Sequence, residues 1–81
     1  MYVCITIEVP FINKTMDFKV PKSMLIGTVI ELVCDIICKR YESLNFDVAG
    51  AELLSVRSRK LLKKDESVQD WVVNNEKLIL I

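Results

Sequence analysis

The sequence predicts one α+β domain spanning residues 1–81: a mixed sheet of about five strands wrapped around a single helix, with one extra helical turn. Three observations carry that expectation. Two N-terminal stretches alternate apolar and polar residues. Near Leu25 the apolar repeat changes from a period of two to the helical period. The last five residues, KLILI (77–81), are apolar apart from one lysine.

YVCITIEV (2–9) sets Val3, Ile5, Ile7 and Val9 against Tyr2, Cys4, Thr6 and Glu8, the pattern of a half-buried strand. FINK (11–14) follows Pro10, and Asn13 suits a positive-φ turn position. TMDFKV (15–20) alternates again with Met16, Phe18 and Val20 inward, completing a hairpin. Pro21 closes that strand, and Ser23 is the expected N-cap of a helix running from Leu25 to about Tyr41. Ile26, Val29, Ile30, Val33, Ile36 and Ile37 form its apolar side; Thr28, Glu31, Asp35, Cys38 and Lys39 form the other.

ESLNFDVAGAE (42–52) reads as a connecting loop, and LLSVRS (53–58) as a third strand with Leu54 and Val56 inward. Arg59–Lys60 turns into a brief fourth strand around Leu61–Leu62. Ser67 opens S-V-Q-D, similar to a capping box, before one helical turn with Trp71 and Val73 on its apolar side. Asn74–Asn75 is a turn and KLILI the final strand. A helix following a hairpin must cover the hairpin's apolar face, and so apolar a last strand belongs inside the sheet, parallel to the first. That arrangement is a β-grasp.

Composition narrows the function. Eleven Lys+Arg balance 11 Asp+Glu, which argues against general nucleic-acid binding, where affinity comes from neutralising phosphates. The longest apolar-looking stretch, residues 24–38, is too short to span a bilayer and carries Glu31 and Asp35, so no membrane insertion is expected. No secretory signal precedes it, and a cytoplasmic location is expected. Three cysteines, an odd number, read as reduced thiols rather than a disulfide framework. With no histidine, no glycine-rich phosphate loop and no paired carboxylates, neither enzymatic activity nor a cofactor is expected.

Along its whole length the chain resembles a ubiquitin-like domain, most specifically over residues 53–81. There Leu62, Ser67, Val68, Asp70, Trp71 and Val73 follow the order of ubiquitin's strand, tight turn, short helix and final strand, with Trp71 in place of a tyrosine. Within that superfamily it most resembles the free-standing bacterial YukD/EsaB group, ubiquitin-like proteins encoded with type VII (ESX/Esat-6-like) secretion systems. The opening MYVCITIEV is similar to that group's M-Y-x-x-I-T-I-(E/D) pattern, the loop before the third strand is long, and the chain ends on its last strand. Ubiquitin and the sulfur carriers react through a flexible C-terminal Gly-Gly. Here the terminal pair is Leu80–Ile81, so the resemblance implies a protein that is not conjugated.

Four features are candidates for a site. Cys34 and Cys38 are neighbours on the helix, but two thiols do not close a zinc site and Cys4 lies on the far sheet face. They read as small apolar fillers. The helix's outer side is expected to carry Gly27, Cys34 and Cys38, and the sequence offers no reason for a glycine in a first helical turn. The basic run RSRKLLKK (57–64), with Arg57, Arg59, Lys60, Lys63 and Lys64, is either a dock for an acidic partner or a solvated turn. The outer sheet face is expected to show Tyr2, Cys4, Thr6, Leu53, Ser55, Arg57, Ile79 and Ile81. Leu53, Ile79 and Ile81 would then form an apolar patch of the kind that binds proteins. Ubiquitin is recognised through the same face, and Ser55 is expected to replace the apolar residue at its centre, so binders of ubiquitin should not transfer.

These readings lead to a non-conjugated accessory or regulatory protein of a type VII secretion system. It would act by protein–protein contact, with a cytosolic part of the machinery as partner. An adaptor unrelated to secretion, a modifier or sulfur carrier, and a homodimer stay open as alternatives.

Overall fold

Alternation along the first strand translates directly into burial. In the computed structural model, which describes residues 1–41 and 49–81, Val3, Ile5, Ile7 and Val9 of β1 (Tyr2–Val9) are all buried. A 3-10 turn over Pro10–Ile12 ends at Asn13 with φ 53°, the left-handed conformation that asparagine tolerates. β2 (Lys14–Pro21) then returns antiparallel to β1, from Val9↔Lys14 to Tyr2↔Pro21. Val20 is buried, and Met16 and Phe18 pack against the core beside it.

The helix, α1 (Ile26–Arg40), lays Ile26, Val29, Ile30, Val33 and Ile37 into the core. Cys34 joins them, fully buried, which corrects its expected place on the outer side. Its spacing explains this: residues 30, 34 and 37 recur at the helical repeat and share one face. Ile36 is only half-buried.

β3 (Leu53–Ser55), β4 (Lys60–Leu61), α2 (Val68–Trp71) and β5 (Glu76–Leu80) complete the chain. Most of the connecting loop expected at 42–52 lies outside the described residues. The sheet order is β2-β1-β5-β3-β4, with β5 parallel to β1 and antiparallel to β3. β5 thus lies in the centre of the sheet, one residue earlier than the expected 77–81, with Ile81 beyond its end. Asn75 takes φ 66° in the turn before β5.

Neither expected side-chain cap forms. Leu25, not Ser23, occupies the N-cap position of α1, and Ser67 makes no side-chain cap bond to α2. The two helix starts instead satisfy one another through backbone. Ile26 and Gly27 donate N–H to the carbonyls of Glu66 (2.9 Å) and Lys64 (3.0 Å). In return Val68 and Gln69 donate to the carbonyls of Met24 (2.8 Å) and Lys22 (3.0 Å). The orphan first-turn amides of both helices are thereby spent on each other's approach segment. Gly27 has its reason here: a Cβ at that position would stand 3.1 Å from the Lys64 carbonyl oxygen. Trp71 of α2 packs against the core as expected, beside the buried Val68 and, just past the helix, Val72, while Val73 is exposed, against expectation.

Candidate protein-interaction surface

β3 is built the other way round from its sequence pattern. Leu53 and Ser55 are fully buried, Leu54 is half-exposed and Val56 is exposed. Register decides this, because Leu53 opposes Leu80 and Ser55 opposes Leu78, both of them core residues of β5. Leu53 and Ser55 are therefore withdrawn from the candidate surface.

A hydroxyl can take the inward position because a carboxylate waits for it. Ser55 Oγ donates to Glu76 Oε2, whose side chain is itself only 2% exposed. Glu76 Oε1 accepts the Val73 backbone N–H at 2.9 Å and Arg57 Nε at 3.2 Å. The Ser58 N–H donates to Ser55 Oγ at 3.2 Å, tying the β3–β4 turn to the same group. Burial pushes the Glu76 carboxyl upward, but the hydrogen bonds from Ser55, Val73 and Arg57, with the Arg57 charge, together hold it below the usual value. Glu76 was not among the sequence candidates. Its parity with Leu78 and Leu80 is the signal that puts it on the inward face.

The outer face carries a short apolar strip. Leu54 lies opposite Ile79 on one side and Leu61 on the other, so the three run across β5, β3 and β4. Leu61 is 47% exposed and Ile79 half-buried. Ile81 extends the face as expected: it is exposed, and its N–H and carbonyl both bond to Glu52 at 2.9 Å. Beyond Ile79 the face turns polar. Lys77 pairs with Glu8 at 3.2 Å, and Thr6 donates to Asp17 at 2.7 Å. Leu54 thus holds the outward position expected of Ser55. The inference that ubiquitin's binders should not transfer rested on that serine and loses its support.

The basic run does not form one patch. Arg57 is committed to Glu76, Lys63 stands 5.9 Å from the centre of the Trp71 ring, and Lys64 donates to the Ala49 carbonyl. Arg59, at φ 58° in the turn, and Lys60, the first residue of β4, are both exposed. The Cys34 thiol is pushed up to about 11, first by burial and then by Cys38, with Lys64 opposing, so it is not a reactive thiolate near neutral pH. Among the described residues no three Cys, Asp or Glu side chains converge as a metal ion would need, and no helix is long and apolar enough to cross a membrane.

Similar geometry exists in known proteins. No family model and no curated protein sequence matches the chain. Among solved structures, ubiquitin from Caldiarchaeum subterraneum superposes with a TM-score of 0.77 at 19% identity, covering 100% of this chain and 92% of its own. The fold is that of ubiquitin. The ubiquitin-like domain of EccD1, a type VII secretion protein of Mycobacterium tuberculosis, gives 0.70 at 21% identity, covering 100% of this chain and 98% of the domain. The EccD5 ubiquitin-like domain from Mycobacterium xenopi gives 0.77 at 14%, covering 100% and 93%. At these identities the likeness is one of fold.

Proposed function

We propose that this ubiquitin-like protein is a non-conjugated, non-enzymatic accessory or regulatory protein of a bacterial type VII secretion system, working in the cytoplasm by protein–protein contact. The observation that carries the reading is the outward strip of Leu54, Leu61 and Ile79, three large apolar side chains adjacent on rigid strands. Apolar side chains at the centre with a polar rim of Lys77, Glu8 and Thr6 match the anatomy of a protein-binding patch. Two of the similar folds belong to type VII secretion proteins, which supports that setting. The archaeal ubiquitin, equally similar in fold, supports the second reading, an adaptor outside secretion.

A photo-reactive residue at position 79 in the native cell tests both. The expected product is a crosslink to a component of the secretion apparatus that is lost in Leu54→Asp while the domain stays folded. Crosslinks only to proteins outside that apparatus would favour the second reading. An adduct through the Ile81 carboxylate, seen by mass spectrometry, would refute the non-conjugated role.

A further inference from the structure

Three segments meet at the end of the sheet where β1 begins: the start of β1 itself, residues 22–25 between β2 and α1, and residues 72–75 between α2 and β5. They enclose a cleft of about 320 Å³ lined by Val3, Lys22, Gln69, Val72, Val73 and Asn74. Hydrogen bonds fix its walls. The Lys22 N–H donates to the Met1 carbonyl and the Gln69 N–H to the Lys22 carbonyl, each at 3.0 Å. The Cys4 N–H donates to Asn74 Oδ1 at 2.8 Å, and the Asn75 N–H to the Cys4 carbonyl at 2.7 Å. A cleft pinned in this way is preorganised, so a ligand meets little ordering cost in the protein. Its volume is at the low end of ligand pockets, which restricts it to a small group.

The lining divides by chemistry. Val3 and Val72 are core residues and Val73 beside them is 51% exposed, so the apolar part consists of short branched side chains. The polar part holds one cation, two primary amides and no acid. Lys22 is exposed and enters none of the ion pairs among the described residues. Asn74 spends its side-chain oxygen on Cys4, which leaves its NH2 group as the donor still to be used. A cation beside amide donors suits an anion, and the valines suit a short apolar tail. We infer that this cleft binds a monocarboxylate with a branched aliphatic tail. That chemistry is shared by a small free acid and by the last residue of a protein chain ending in leucine or valine. The tail lies on the valines, and the carboxylate meets Lys22 with the Asn74 and Gln69 amides. Neither Leu54, Leu61 nor Ile79 lines the cleft, so this inference stands apart from the proposed function.

The test titrates the full, nitrogen-15-labelled chain with 3-methylbutanoate and with its neutral isostere, 3-methylbutanamide. Saturable shifts are expected at the backbone amides of Gln69, Val72, Val73 and Asn74 with the acid. Lys22→Gln should weaken that binding on the order of fivefold, the range of one exposed charge pair, and Leu54→Asp should leave it unchanged. Val73→Asp, which sets a like charge beside the carboxylate, should abolish it. Lys22 and Val73 are both exposed, and the dispersion of the remaining amide signals checks that each variant folds. A peptide Gly-Gly-Ser-Leu with a free C-terminus distinguishes the sources: tighter binding than the free acid assigns the cleft to a chain end, weaker binding to a small acid. Equal affinity for acid and amide, undiminished binding in Lys22→Gln, or shifts that fail to saturate or fall elsewhere on the surface would overturn the proposal.

Discussion

At Glu76, burial opposes the charged form and hydrogen bonding favours it, and hydrogen bonding wins. The sign of the consequence follows. A carboxyl held lower in the folded state than in the unfolded chain contributes stability that is fully present above the ordinary value of 4.5. That contribution is lost as pH falls through the lower, folded value. Urea unfolding across the acid range should show a stability loss in the natural chain that is shallower in Glu76→Gln. Glu76→Ala removes the acceptor for Ser55 and for the Val73 amide, and should cost about 1–3 kcal/mol at neutral pH. An acid limb of the same slope in Glu76→Gln would show that other carboxylates set it.

Among the elements, the two helices are instructive because neither is started by a side chain. The exchange of amides and carbonyls between residues 22–27 and 64–69 replaces the caps that Ser23 and Ser67 were expected to supply. The device depends on close backbone approach, and so on Gly27. In an exposed helix, Gly→Ala adds about 1 kcal/mol of stability through backbone propensity. Here the added carbon meets a carbonyl oxygen at 3.1 Å, so Gly27→Ala should bring none of that gain, and Gly27→Val should lower the denaturation midpoint outright. A Gly27→Ala variant stabilised by the full amount would show that the Lys64 segment yields freely.

Across the whole molecule, the register of β3 on β5 assigns the two faces of the sheet their separate roles. Leu53 belongs to the core and Leu54 to the surface, although they are adjacent leucines on one three-residue strand. Leu53→Ala should cost about 2–5 kcal/mol, the range for a buried leucine truncated in a packed core. Leu54→Ala should stay within about 1 kcal/mol in stability while weakening partner capture. Similar losses at both positions would mean that the outer face is structural rather than a binding surface.

Much of this architecture could be read locally. The alternation of β1 and β2, the change of period into α1, the left-handed turns at Asn13 and Asn75 and the apolar last strand each express a rule that acts within a few residues, and longer segments repeat it often enough to be unambiguous. The face of β3 could not be read that way. Its three residues hold too little alternation, and the pattern L-L-S-V favours Leu54 and Val56 inward. Pairing with β5 and the carboxylate of Glu76, 21 positions away from Ser55, reverse that choice by giving a buried hydroxyl its partner. Gly27 was opaque for the same reason, since the carbonyl that excludes a side chain there comes from Lys64. The sequence by itself determined which segments are strands and helix, because period and turn chemistry are local. Only the tertiary structure decided which side chains face outward from the shortest strand, because satisfying a buried polar group takes two partners that the chain brings together only by folding.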